Sequence, residues 1–251
     1  MQVKVLHKIF IFAACMACTA SAAAYSNADL AAVKAGGSCP YGDLSGADLS
    51  GMDLSGRNFN GANFTEARLQ NAQLNNAILT KANFKRAFLT GASLRGAQLI
   101  QADLSYASAP LADFTNANLS GAVLYRSQLR GAQLLNAALV NVRAQEASLD
   151  AVQADYADFS YANLPYAWLY NSSLKNASFT GANLYDAKMQ KADLTGGNLR
   201  SAKMGKANLR GAKLAKANFD SAVLDHADLR SADLTYTEFG TAVKDKALFT
   251  K

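Results

Sequence analysis

The sequence predicts an all-β chain wound into a square coil, with one short helix at its N-terminal end. Three spacings carry that prediction. From residue 42 to 241 an apolar residue recurs at every fifth position without an insertion, beginning Leu44, Leu49, Leu54, Phe59 and ending Leu229, Leu234, Phe239. Of these 40 centres 37 are Leu, Phe or Met, and the residue two places earlier is Ala in 31. Of the 17 glycines, 11 stand two places after a centre, among them Gly46, Gly91 and Gly211. Pro110 and Pro165 stand one place after.

A helix turns about 100° per residue, so a five-residue period carries its apolar positions around the whole cylinder. In a straight strand a residue five places on points to the opposite face. Only a chain that turns a corner every five residues keeps Leu44, Leu49, Leu54 and Phe59 inward. Ala47 and Leu49, two apart, then share one inner face. Read as a turn, Leu44-Ser45-Gly46-Ala47 puts Gly third, where type II needs positive φ, and Pro110 and Pro165 fall second, where Pro is favoured. Four corners close a 20-residue coil, and the pentapeptides stack as about ten coils at about 4.8 Å, a rod about 48 Å long.

The run Asp43-Leu44-Ser45-Gly46-Ala47-Asp48-Leu49-Ser50-Gly51 resembles the A(D/N)LXX consensus of pentapeptide-repeat proteins. That resemblance implies a right-handed quadrilateral β-helix over residues 42–241. It implies little about function.

Residues 1–24 follow another pattern. Lys4 and Lys8 precede a short apolar run from Ile9 to Cys18, and Ala22-Ala23-Ala24 offers a small-residue cleavage site before Tyr25. This reads as a secretory signal peptide and predicts export to the periplasm or the exterior. An uncleaved anchor and a lipoprotein modified at Cys15 are the alternatives. Cleavage leaves Cys39 alone in the mature chain, as a free thiol, an intermolecular bridge or a buried unreactive residue. Ser38-Cys39-Pro40-Tyr41-Gly42-Asp43 resembles the Cys-x-x-Cys found before the first repeat of secreted family members, with Gly42 in place of the second Cys.

Residues 25–41 read as a cap. Ser26 or Asn27 serves as N-cap, Asp29 lies in the first turn, Leu30 and Val33 share a face, and Gly36-Gly37 stops the helix. A solenoid's open end needs such a cover. In the first coil the inward small positions hold Gly42, Ala47, Met52 and Arg57. Arg57 cannot be buried without a partner, so it is expected to reach the helix's C-terminal carbonyls, where the dipole favours a cation. Within the rod Ala109, Ala144 and Ala154 replace larger centres. Val142 and Val152 compensate two of them, and Ser105–Leu111 is the expected thin spot. Residues 242–251 read as a C-terminal cap or tail.

Little in the sequence converges on chemistry. The mature chain has His226 and Cys39 but no metal-ligand spacing, phosphate loop or nucleophile motif. No enzyme activity, metal or cofactor is expected. Asp43, Asp48, Asp53, Asn58, Asn63 and Asn83 recur too regularly for a catalytic pair and read as outward, solvated repeat residues. Without Lys4 and Lys8 the chain keeps 23 basic against 19 acidic residues, a net charge of +4. That balance and the export signal argue against imitation of DNA toward a topoisomerase.

Two surface features remain as candidates. Lys188, Lys191, Arg200, Lys203, Lys206, Arg210, Lys213 and Lys216 form a basic girdle on all four faces, a layout unsuited to following duplex nucleic acid. Tyr161, Tyr166, Trp168 and Tyr170, with Tyr156, are outward within one coil, and Trp168 is the only Trp. Tyr166 and Trp168 straddle a corner where their rings could meet and form a platform for a sugar or protein. The sequence therefore predicts a non-catalytic, exported structural or interaction rod with a protein or envelope-glycan partner. The alternative is envelope or carbohydrate binding through the aromatic corner and the girdle. No transmembrane segment is expected in the mature chain.

Overall fold

The computed structural model describes residues 26–249. The expected signal peptide, Cys15 and the cleavage point before Tyr25 lie outside the described residues. Helix α1 spans Asn27–Lys34, and its N-cap Ser26 accepts from Asp29 N–H through its hydroxyl at 3.1 Å. Leu30 and Val33 are buried, as their spacing predicts.

From there the chain is a four-sided β-coil. The residue before each centre forms a single parallel bridge with the residue twenty positions on, from Asp43 with Asn63 to Asp228 with Leu248. Each centre donates its N–H to the next coil and each bridge residue to the previous one, as in Leu44 N to Asn63 O and Asn63 N to Gly42 O, both 2.8 Å. The first face carries Asp43, Asn63 and Lys203; the second Ser148, Trp168 and Lys188; the third Asp53, Asp193 and Lys213; the fourth Asn58, Asn198 and Asn218.

The coil extends beyond the predicted 42–241. Cys39 is buried as a centre, its N–H donates to Asn58 O at 3.0 Å, and Gly42 N–H closes the corner on Cys39 O. At the other end Leu229 N donates to Leu248 O at 2.8 Å, inside the segment expected as a cap or tail. A Cys at one centre and Lys244 at another hide these units from a Leu/Phe pattern.

At the corners φ is positive at the third turn residue, +66° at Gly46, and the fourth residue's N–H returns to the first residue's carbonyl. Most corners hold a non-glycine residue there, such as Glu66, Asn71, Tyr106 and Lys191. That conformation costs roughly 1–3 kcal/mol for a side-chain-bearing residue, offset by the ladder on both sides. The recurring Asp and Asn residues help: Asp43 Oδ1 accepts from Ser45 N–H at 3.1 Å, and Asp53, Asn63 and Asn83 bond the N–H two places on in the same way. They are corner braces, not merely solvated side chains.

The centres are shut from solvent until the last coil, where Leu234 and Phe239 are partly exposed. Stacked rings repeat at the coil spacing, Phe64 on Phe84 at 4.7 Å and Phe159 on Phe179 at 4.8 Å. Val142, Ala144, Val152 and Ala154 are all buried, so the larger side chain has moved two places and the core stays filled. The expected thin spot does not break the ladder, since Ala109 N still reaches Gln128 O at 2.7 Å. Ser127 and Ser172 occupy small inward positions and return their hydroxyls to Leu124 O and Leu169 O at 2.8 and 2.6 Å.

The N-terminal end is fastened at three points. Asp29 Oδ2 accepts from Asp43 N–H at 2.8 Å, Arg57 reaches Val33 O as predicted, and Met52 packs beneath the helix-covered core. A Cβ at Gly42 would stand 2.1 Å from Cys39 Sγ, so the thiol fills the space a second Cys would need. Buried there, Cys39 cannot bridge to a second chain in the folded state.

Candidate binding surface

The coil turns sequence spacing into columns: residues twenty apart sit above one another, and outward side chains at corners lean toward the next coil. Tyr161 shows this, its ring lying over Gly181, where an added Cβ would come within 2.9 Å. Tyr166 obeys the same geometry. Its ring closes edge-on against Tyr185, centroids 5.9 Å apart at 83°. The predicted meeting of Tyr166 with Trp168 is therefore replaced by a pair running along the rod, and Lys206 stands 5.5 Å above the Tyr185 ring. The Tyr185 hydroxyl, bonded to that ammonium, holds Lys206 above the usual lysine range.

Trp168 instead belongs to the second face. It is 56% exposed, bridges Ser148 below and Lys188 above, and lines a shallow groove with Tyr170, Asp150, Gln190 and Arg130. Ala151, small beside the two large rings, also lines it. Asp150 accepts from Ser148 Oγ at 2.9 Å, and Lys191 stands 6.0 Å from the Tyr170 centroid on the next coil.

The basic girdle does encircle the rod, but most of its charge is engaged. Lys188 pairs with Asp186, Arg200 with Asp220 at 3.3 Å and Lys213 with Asp193 at 3.4 Å. Lys191 and Lys206 lie over rings. Among the described residues Lys203, Arg210 and Lys216 form no salt bridge, although the Arg210 charge helps hold the Asp228 carboxyl below its usual range.

A second aromatic cluster escaped the sequence reading. Tyr106 packs edge-on against Tyr125 at 5.4 Å, and Arg126 lies over Tyr125 while bonding Glu146 at 2.8 Å. Both tyrosine pairs are nineteen residues apart on the same corner, the signal by which a 20-residue coil could have revealed them. Among the described residues no group of His, Cys, Asp and Glu is arranged to hold a metal ion, and no helix is long and apolar enough to cross a membrane.

A closed apolar interior, a five-residue unit and a variable outer shell define a repeat scaffold, a β-solenoid whose outward positions differ far more from coil to coil than its inward ones. The chain belongs to the pentapeptide-repeat family: the model for pentapeptide repeats matches in 8 copies over residues 43–80, 77–109, 111–143, 157–196, 166–205 and 202–240. Members of that family fold as right-handed quadrilateral β-helices, as this chain does.

Among solved structures the chain is similar to HetL, a pentapeptide-repeat protein involved in heterocyst differentiation regulation from the cyanobacterium Nostoc sp. strain PCC 7120. The match has 27% identity and a TM-score of 0.54 over 90% of this chain and 98% of HetL. It is also similar to Rfr23 from the cyanobacterium Cyanothece 51142, at 24% identity and TM-score 0.38 over 43% of this chain and 91% of that one. A third match is QnrB1, a plasmid-mediated fluoroquinolone resistance protein, at 19% identity and TM-score 0.36 over 76% and 89%. No curated protein matches the chain.

Proposed function

We propose that the protein is a non-catalytic, exported rod that acts by presenting its surface to a partner protein. The observation that supports this reading is the concentration of exposed aromatic side chains in one coil, Tyr156 at 61%, Tyr161 at 63% and Trp168 at 56%, with Tyr166 and Tyr170 beside them. Rigid aromatic residues make good binding anchors because little side-chain entropy is lost when they are covered. The pattern of residues 1–24 supports export. Cell fractionation with N-terminal sequencing tests it: exported protein should begin at Tyr25, and protein retained inside the cell with Met1 intact overturns it. A Tyr156→Ala, Tyr161→Ala variant should elute free of partner on size exclusion where the parent elutes as a complex.

A second reading, binding to envelope glycan, is favoured by the groove beside Trp168, where hydrogen-bonding groups flank two rings. The unpaired cations Lys203, Arg210 and Lys216 would add a salt-sensitive share to it. Imitation of DNA is opposed by the net charge of +4 that the chain keeps without Lys4 and Lys8.

A further inference from the structure

We propose that the groove on the second face is a binding site for a neutral, hydroxyl-rich saccharide, with Trp168 and Tyr170 as its platform. The inference rests on the envelope-glycan reading and gives it a place and a ligand class. The groove runs over the coils of Arg130, Asp150, Tyr170 and Gln190. Three coil spacings of about 4.8 Å make it about 14 Å long, longer than one sugar ring.

Its chemistry selects the ligand. Trp168 and Tyr170 are two residues apart and both line the groove; Trp168, 56% exposed, is the ring available to the C–H face of a pyranose, while Lys191 stands over Tyr170. Around them the lining alternates donors and acceptors: Arg130 and Asn171 donate, while Asp150 has one oxygen engaged by Ser148 and the other left to accept. Gln190 Oε1 is shielded from solvent without a protein donor, and rotation of its amide into the groove would let it accept from a ligand. Acceptors of this kind call for a ligand that donates, which hydroxyls do and an anionic oxygen does not.

Charge points the same way. Lys188 is committed to Asp186, so the lining that remains, Arg130 against Asp150, sums to zero. A phosphate or uronate would meet the Asp150 carboxylate among these groups; Lys191, over the Tyr170 ring at 6.0 Å, lies outside the lining. The girdle's unpaired cations lie outside the groove lining.

Because Trp168 is the only Trp, its fluorescence reports on this site alone. The purified protein titrated with cellohexaose, chitohexaose or mannohexaose should show a saturable blue shift with at least one of them, unchanged at about 0.5 M salt. By calorimetry Trp168→Ala and Gln190→Ala should each weaken that binding about tenfold or more, and Trp168→Phe should recover part of it. Tyr156→Ala should leave it unchanged. The site assignment is overturned if no neutral oligosaccharide binds, or if an oligogalacturonate alone binds and is released by salt. Sedimentation with isolated cell walls separates the two failures. If parent and Trp168→Ala sediment alike without oligosaccharide binding, the groove is wrong and the envelope reading stands; if neither sediments, both are wrong.

Discussion

Arg57 and Val33 close the N-terminal end of the rod: Arg57 Nη1 donates to Val33 O at 2.8 Å, joining an inward position of the first coil to the last turn of α1. A cation at a helix C-terminus meets the negative end of the dipole, and here it shares Val33 O with the Gly36 N–H, which donates to the same carbonyl at 3.0 Å. With Nη2 donating to Asp53 O as well, Arg57 ties α1 to the first coil through two carbonyls. Replacement by Met keeps the stem and loses the bond, which should cost about 1.5–3 kcal/mol. Amide exchange at residues 27–35 should rise in Arg57→Met while exchange at mid-rod amides stays unchanged.

The Cys39 thiol occupies the space beside Gly42. Gly42→Ala should destabilise by about 1–3 kcal/mol through overpacking. Cys39→Ala in the same chain should recover most of that loss. A double-mutant cycle in urea measures the coupling; simple additivity would mean that the two sites do not touch.

Leu129 lies buried in the middle of the ladder. Leu129→Asp places an unpaired charge there and should cost more than about 4 kcal/mol, with loss of the β-type circular dichroism spectrum. A parent spectrum dominated by α-helix would contradict the fold itself.

The corner braces make stability pH-dependent. Burial pushes the Asp103 and Asp193 carboxyls up, but hydrogen bonds from Ser105 and Thr195, with Lys85 and Lys213 alongside, bring both below the usual carboxylate range. The Thr235 hydroxyl and N–H lower Asp233 in the same way. A carboxyl harder to protonate when folded contributes stability above its unfolded value and loses it as pH falls through the folded one. The melting temperature should therefore be flat from about pH 8 to 5 and fall below about pH 4. An Asp103→Asn, Asp193→Asn, Asp233→Asn variant should show a shallower acid fall in thermal melts across that range.

Tyr166 and Trp168 should part company in stability measurements. Tyr166→Ala removes an edge-on ring pair worth about 0.5–1.5 kcal/mol, so its melting temperature should drop. Trp168→Ala removes a ring that lines an open groove and should stay within about 0.5 kcal/mol of the parent. Equal melting losses in the two variants would show Trp168 to be part of the scaffold.

The rod was legible in the sequence because every coil makes the same demand on its interior, so Leu44 and Leu224 report one rule 180 residues apart. The ends were less so: Cys39 fills a centre with a residue outside the usual set, and Lys244 stands exposed at a centre position with its ammonium 4.9 Å from the Phe239 ring centroid. Arg57's reach to the cap could be read because burial of an unpaired guanidinium leaves few alternatives. The aromatic surface was located but wrongly paired. Adjacency across a corner suggested Tyr166 with Trp168, whereas positive φ at position 166 tips the ring along the rod onto Tyr185.

The unbroken twenty-residue ladder also sets what insertions and deletions do. Most pentapeptides offer the same Ala and Leu or Phe interior, so removing five residues from such a stretch keeps the backbone ladder but rotates everything downstream by a quarter turn. Trp168 and Tyr170 would then keep their neighbours on their own coil and meet a different face of the coils before them, replacing Asp150 and Arg130. Loss of twenty residues would instead restore the alignment and only shorten the rod. In such a molecule surface patterns can be reshuffled in steps of five while the interior registers nothing, so relatives with equally good cores can carry unrelated faces.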